Sequence, residues 1–263
     1  MLRSASCFLL VLMLTVFCTT SSFAEDAGLA DLFHTNKVEG TIVISSLDGT
    51  TVFLHNKERA NTQLLPASTF KMLNTLIALD EKVVANEQEI LTWDGKDRGL
   101  SAWNRDHSIE TALPVSCVWF YQELARRIGM KKYTKHLKAV GYGNQTAGPE
   151  ISNFWLVGDL AISAFEQIEF LKALYARSLP YDKKHQDLLN KLLLVQQTPD
   201  YTLYGKTGWA TRIPQPQGWF VGYVESKGTV WFFATNIVIT QKSDAKYRKA
   251  ITIEALKRKG IIQ

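Results

Sequence analysis

Ser68 and Lys71 stand three residues apart in Ser68-Thr69-Phe70-Lys71, a spacing that puts a nucleophile and a base on one face of a helix's first turn. A serine hydroxyl is a weak nucleophile at neutral pH, so the lysine contributes only if it is held unprotonated. The flanks predict the placement. Pro66 fixes the entry, Ser68 and Thr69 are cap-type residues, and Met72, Leu73, Leu76, Ile77 and Leu79 supply an apolar stripe. S-x-x-K alone is a common capping turn, and its chemistry depends on company. That company arrives in chain order. Ser116-Cys117-Val118 lies between two helical patterns, and Tyr142-Gly143-Asn144 has a turn-like composition suited to scaffold support. Phe154-Trp155-Leu156-Val157-Gly158 follows, and Lys206-Thr207-Gly208 lies in a strand-like segment 138 residues after Ser68.

S-x-x-K, a second serine in a short motif and K-T-G form the ordered set of penicillin-recognising serine enzymes. The middle motif reads S-x-V where many relatives have S-D-N. With these residues the chain resembles the class D (oxacillinase-type) β-lactamases over essentially all of its length beyond the N-terminal segment. The resemblance implies that Ser68 attacks a strained lactam carbonyl to give an acyl-enzyme, with the backbone N–H groups of Ser68 and Trp209 as oxyanion hole. It implies no cofactor beyond carbon dioxide, added to Lys71 as a carbamate that serves as general base. The apolar neighbours it supplies for that group are Phe70, Val118, Trp155 and Leu156, with the Trp155 indole N–H donating to it. Ser116 and Lys206 would relay a proton to the leaving nitrogen. Thr207 and Arg248 would hold the substrate carboxylate, and Gly208 would let the substrate lie against the strand. Lys246 and Lys249 flank Arg248 and compete for that assignment. Class A relatives use a glutamate in E-x-x-x-N, but Phe170 stands where Glu166 would need its asparagine. Glu166 therefore reads as part of an ordinary amphipathic helix. After K-T-G, Thr211-Arg212 is similar to the loop of carbapenem-hydrolysing members, and Pro214 and Pro216 stiffen that connection into a wall. Penicillin-binding sensor domains and D-alanyl-D-alanine peptidases share related motifs, and turnover separates them.

Composition narrows the alternatives. Lys and Arg number 30 against 25 Asp and Glu, a net charge of +5 that is scattered except at Lys257, Arg258 and Lys259, so nucleic acid is not an expected partner. His34, His55, His107, His136 and His185 show no ligand spacing, and no metal is expected. Arg3, an apolar run from Cys7 to Cys18 and Ser22-Phe23-Ala24 read as a secretory signal peptide over residues 1–24, which implies a periplasmic enzyme at 25–263. Its removal leaves Cys117 as the remaining cysteine, a buried structural thiol among Val115, Val118, Trp119 and Phe120. No later segment reaches the roughly 18 apolar residues of a membrane span. β-Lactam small molecules are the expected partners, and a homodimer is compatible with the sequence.

Periodicity predicts the elements that must position these residues. Gly28 to Asn36 begins with a short helix, and Gly40–Ser46 and Thr51–His55 are strands joined by Asp48-Gly49, a hairpin signal. Helical patterns then dominate at Phe70–Asp80, Trp119–Ile128, Lys131–Ala139, Ala164–Ala176 and His185–Leu194. Strands return at Tyr201–Thr207, Trp219–Glu225 and Thr229–Ile237, before a last helix from about Asp244 to Lys259 that Gly260 ends. The order predicts an α+β fold: one antiparallel sheet built from both chain termini, flanked by helices, with a helical insert at about residues 66–197 and the cleft between the two parts.

Overall fold

A computed structural model describes residues 24–263, so the signal-peptide reading lies outside the described residues except at Ala24. The chain opens with α1 (Ala27–Thr35), strands β1 (Gly40–Ser46) and β2 (Val52–His55), and a short α2 (Lys57–Asn61). A 3-10 turn at Ala67–Phe70 leads into α3 (Lys71–Asp80), followed by α4 (Ile109–Ala112), α5 (Val118–Ile128), α6 (Met130–Val140), α7 (Ala164–Tyr175) and α8 (Lys183–Leu192). Strands β3 (Leu194–Gln197), β4 (Tyr201–Ala210), β5 (Gln217–Ser226) and β6 (Thr229–Val238) return before α9 (Tyr247–Arg258). Among the described residues, no helix is long and apolar enough to cross a membrane.

The six strands form one antiparallel sheet in the order β2-β1-β6-β5-β4-β3, so N-terminal and C-terminal strands meet where β1 pairs with β6. Side chains alternate between its faces. Ile42, Ile44, Phe220 and Phe233 join Leu29, Phe33, Ile251 and Leu256 under α1 and α9. Val43, Val221, Phe232 and Ala234 face the other way and pack with Leu73, Phe120 and Leu171 of the helical part. Both sheet faces are thus covered, which is why β1 reads as a nearly continuous apolar run. The Asp48 carboxylate accepts from Ser46 Oγ at 2.6 Å and from Thr50 N at 3.1 Å, closing the expected hairpin.

Three sequence expectations change. The helical insert ends with α8, and residues 194–197 are a sheet strand, not part of the insert. All four residues of β3 are exposed at the sheet edge, so they carry no alternation for periodicity to detect. Ser68 and Thr69 do not cap α3: the 3-10 turn has no side-chain cap, and Thr69 Oγ1 instead donates to Pro66 O at 2.8 Å. The last helix starts at Tyr247, after a 3-10 turn over Lys242–Lys246, and Gly260 follows it at φ 67°.

Candidate active site

Ser68 occupies the 3-10 turn that feeds α3, and Ala67 before it is held at φ 48°, a left-handed conformation that L-residues with a Cβ avoid. Two contacts fix that turn. Trp219 Nε1 on β5 donates to Leu65 O at 2.8 Å. Gly208 on β4 packs so closely that a Cβ there would lie 2.8 Å from Pro66 O and 3.2 Å from Thr69 Cγ2. The glycine of K-T-G therefore brings β4 against the turn that carries Ser68.

Lys71 donates from Nζ to Ser68 Oγ at 2.8 Å. Its side chain is fully buried, with Nζ 5.4 Å from the Tyr121 ring centroid and no carboxylate beside it. Burial lowers its pKa to about 7, so a substantial fraction of the amine is free at neutral pH. Phe70 and Trp155 are buried with it in an aromatic cluster, ring centroids 5.7 Å apart, joined by Tyr142 and Phe154 at 5.7 and 5.2 Å from Phe70. Tyr142 serves as scaffold, as its motif suggested. Trp155 Nε1 is a buried donor with no hydrogen-bond partner. An indole N–H left unpaired in such a place is disfavoured unless an acceptor arrives.

Ser116 closes the end of α4. Ser116 N donates to Leu113 O and Cys117 N to Ala112 O, which places Ser116 at φ 58° where a helix usually ends in glycine. Its hydroxyl accepts from Lys206 Nζ at 2.9 Å. Lys206 also donates to Thr207 O at 3.1 Å and is 5% exposed. Burial first, then the charges of Lys71, Arg248 and Lys249, pushes its pKa well below the ordinary lysine value. Cys117 is buried, and burial raises its thiol pKa, as a structural cysteine requires.

Arg248, in the first turn of α9, donates from Nη1 to Gly208 O at 2.6 Å and from Nε to Ala245 O at 2.7 Å. Burial lowers its pKa to about 10, which leaves it charged. Gly218 makes this possible, because a Cβ there would meet Arg248 Cδ at 2.4 Å. No sequence motif pointed to Gly218; the expected positions around Arg248 carried only a run of basic residues.

A cleft of about 440 Å³ opens over this arrangement. Ser68, Ser116, Thr207, Gly208, Trp209 and Arg248 line it, with Val118 and Leu156. Lys71, Lys206, Phe70 and Trp155 lie buried beneath rather than in its wall. Trp103, Leu100 and Lys242 also line the cleft and were not foreseen, since short 3-10 turns and loops carry no periodicity to mark them. Glu166 is committed elsewhere: its Oε2 accepts from Ser163 N at 2.7 Å in the capping box of α7, and its Oε1 accepts from Gln63. Away from the cleft, Asp80, Glu81 and His136 cluster closely, though their spacing gave no sign of it. His136 there bridges Glu81 at 2.8 Å and the Tyr181 hydroxyl at 3.2 Å, and Lys132 neutralises Glu81 at 2.7 Å.

Comparison with known proteins places this geometry among relatives. Residues 36–257 match the penicillin binding protein transpeptidase domain. The β-lactamase OXA-48 of Klebsiella pneumoniae is 42% identical over 230 residues, 88% of this chain and 87% of that protein. The β-lactamase OXA-10 of Pseudomonas aeruginosa is 33% identical over 264 residues, 99% of both. Among solved structures, the class D β-lactamase YbXI from Nostoc aligns with a TM-score of 0.86 at 43% identity, covering 88% of this chain and 98% of that one. FUS-1 (OXA-85), a class D β-lactamase from Fusobacterium nucleatum subsp. polymorphum, aligns with a TM-score of 0.88 at 35% identity, covering 91% and 100%.

Proposed function

The chain belongs to the class D β-lactamases, within the penicillin-binding transpeptidase fold, and from that premise we propose that it hydrolyses the lactam amide of β-lactam antibiotics through an acyl-enzyme on Ser68. The observation that carries the reading is the 2.8 Å hydrogen bond from Lys71 Nζ to Ser68 Oγ, made by a fully buried lysine. In acylation Ser68 Oγ bonds to the lactam carbonyl carbon while its proton passes to the base. The oxyanion so formed lies against the backbone N–H groups of Ser68 and Trp209. Its collapse breaks the ring carbon–nitrogen bond, and the nitrogen takes a proton from Lys206 handed on through the Ser116 hydroxyl. The depressed pKa of Lys206 suits that exchange, because a lysine at its ordinary value would keep its proton. Thr207 and Arg248 hold the ring carboxylate. The proton that the base took from Ser68 makes good the one lost by Lys206. Water then adds to the ester carbonyl and gives a proton to the base, which passes it to Oγ as the carbon–Oγ bond breaks, releasing the ring-opened acid and restoring Ser68.

The surroundings of Lys71 fit a carbamate formed from carbon dioxide. Addition needs an unprotonated amine, which burial favours, and the unpartnered Trp155 Nε1 is a donor suited to an incoming oxygen. When bound, the group supplies an anionic oxygen base for both half-reactions. Phe70 is buried, Val118 and Leu156 line the cleft, and among the described residues no aspartate or glutamate lines that cleft to replace the group. The N-terminal apolar run supports export of the enzyme to the periplasm.

Burst kinetics with nitrocefin test the function. Sustained turnover well beyond one equivalent is expected. A single stoichiometric burst would make the protein a penicillin-binding sensor and overturn hydrolysis.

A further inference from the structure

The cleft carries more positive charge than one substrate carboxylate requires. Arg248 and Thr207 suffice for the ring carboxylate, yet Arg212 and Lys242 also line the cleft, and no aspartate or glutamate does. Both are exposed, and neither makes an ion pair among the described residues. They rise from one end of the sheet: Ile239 N donates to Pro216 O at 2.8 Å, tying the base of the 211–216 loop to the segment that reaches Lys242.

Direction along β4 assigns this end of the cleft. The ring carboxylate sits at Thr207 and the lactam carbonyl at the Trp209 N–H, so the acyl side chain runs onward in the sense from 207 to 209. That course leads towards Thr211 and Arg212. The same cleft is lined by Leu100, Trp103 and Val157, of which Leu100 is 50% and Val157 43% exposed. Apolar residues and two unpaired cations lining one cleft match a side chain that carries both an aromatic ring and an anion.

On the reading of the site given above, we propose that Arg212 and Lys242 form a second anion subsite, which favours β-lactams whose acyl side chain itself bears a carboxylate or sulfonate. The ring of such a side chain packs on Trp103 and Val157 while its anion meets Arg212 and Lys242. The cations also draw a doubly charged substrate into the cleft faster than a singly charged one.

Benzylpenicillin and carbenicillin test this as a matched pair, since they differ by one side-chain carboxylate. The readout is the ratio of their kcat/KM values in wild type, in Arg212→Gln, and in the double variant Arg212→Gln/Lys242→Gln. Two half-solvated ion pairs are expected to shift the ratio against carbenicillin by roughly three- to tenfold in the double variant. Arg212→Lys should restore part of it. Raising ionic strength from about 0.05 to about 0.5 M should erode the wild-type ratio and leave that of the double variant flat. A ratio unchanged within twofold between wild type and double variant, at matched thermal stability, would overturn the subsite while leaving hydrolysis intact. Absence of benzylpenicillin turnover by the wild type would instead overturn the hydrolase reading, and the subsite with it.

Discussion

Lys206 donates to Ser116 Oγ at 2.9 Å, joining β4 of the sheet to the turn after α4 across 90 residues of chain. Each partner sits where its own preferences disfavour it. Lys206 is buried among positive charges, and Ser116 adopts φ 58° at a position that ordinarily selects glycine. Two locally disfavoured residues meeting in one hydrogen bond at the cleft are the kind of local exception that a functional site makes, and they suit the proposed proton relay.

Ser116→Gly and Ser116→Ala should separate strain from chemistry. Both remove the proposed relay hydroxyl and should lower kcat/KM for benzylpenicillin by about 10²-fold or more. The glycine variant should be the more stable of the two by about 1 kcal/mol, because alanine keeps the left-handed penalty. Urea denaturation measures this, and an alanine variant of equal or greater stability would show that the turn stores no strain.

Ser68→Ala should abolish covalent labelling while leaving the fold nearly intact. Ser68 makes no cap hydrogen bond, and its loss removes one contact, to Lys71, worth about 1 kcal/mol. Intact-mass spectrometry after incubation with penicillin checks it. A penicillin adduct on the alanine variant would exclude Ser68 as nucleophile.

Lys71 should set an acid limit on activity. Its amine is protonated below a pKa of about 7, and only the neutral form above that value can take up carbon dioxide. Activity lost on acidification or degassing should therefore return with added bicarbonate as pH rises through 7. ¹³C-bicarbonate should give a carbamate NMR signal that is absent from Lys71→Ala. Trp155→Phe keeps an aromatic side chain but removes the unpaired N–H, so more bicarbonate should be needed for half-maximal activity. An unchanged bicarbonate requirement in that variant would return Trp155 to a purely packing role.

Gly208→Ala should damage the site through geometry. The new Cβ would press on Pro66 O and Thr69 Cγ2 and force β4 away from the Ser68 turn. A stability loss of about 1–3 kcal/mol is expected, with a fall in acylation rate larger than the stability loss accounts for. Stopped-flow acylation and thermal melts read the two effects separately. Wild-type acylation in this variant would show that strand and turn need not touch.

The sequence alone determined the chemistry and most of the element order. Ser68 and Lys71 meet because helical turns bring residues three apart together, and local spacing is visible in one dimension. Runs of apolar residues marked β1, β5 and β6, and the 3.6-residue period marked α3, α5 and α7, because each buries one face or both against a common core. The tertiary structure decided what no local pattern encodes. It paired Lys206 with Ser116 and laid Arg248 on Gly218. It buried Lys71 against Ser68, left Trp155 Nε1 without a partner, and set the unpaired Arg212 and Lys242 in the lining of the cleft. It also made residues 194–197 a strand, where hydrogen bonds to β4 outweigh a sequence with no buried face. These features depend on chain segments far apart in sequence, and folding brings them within van der Waals reach.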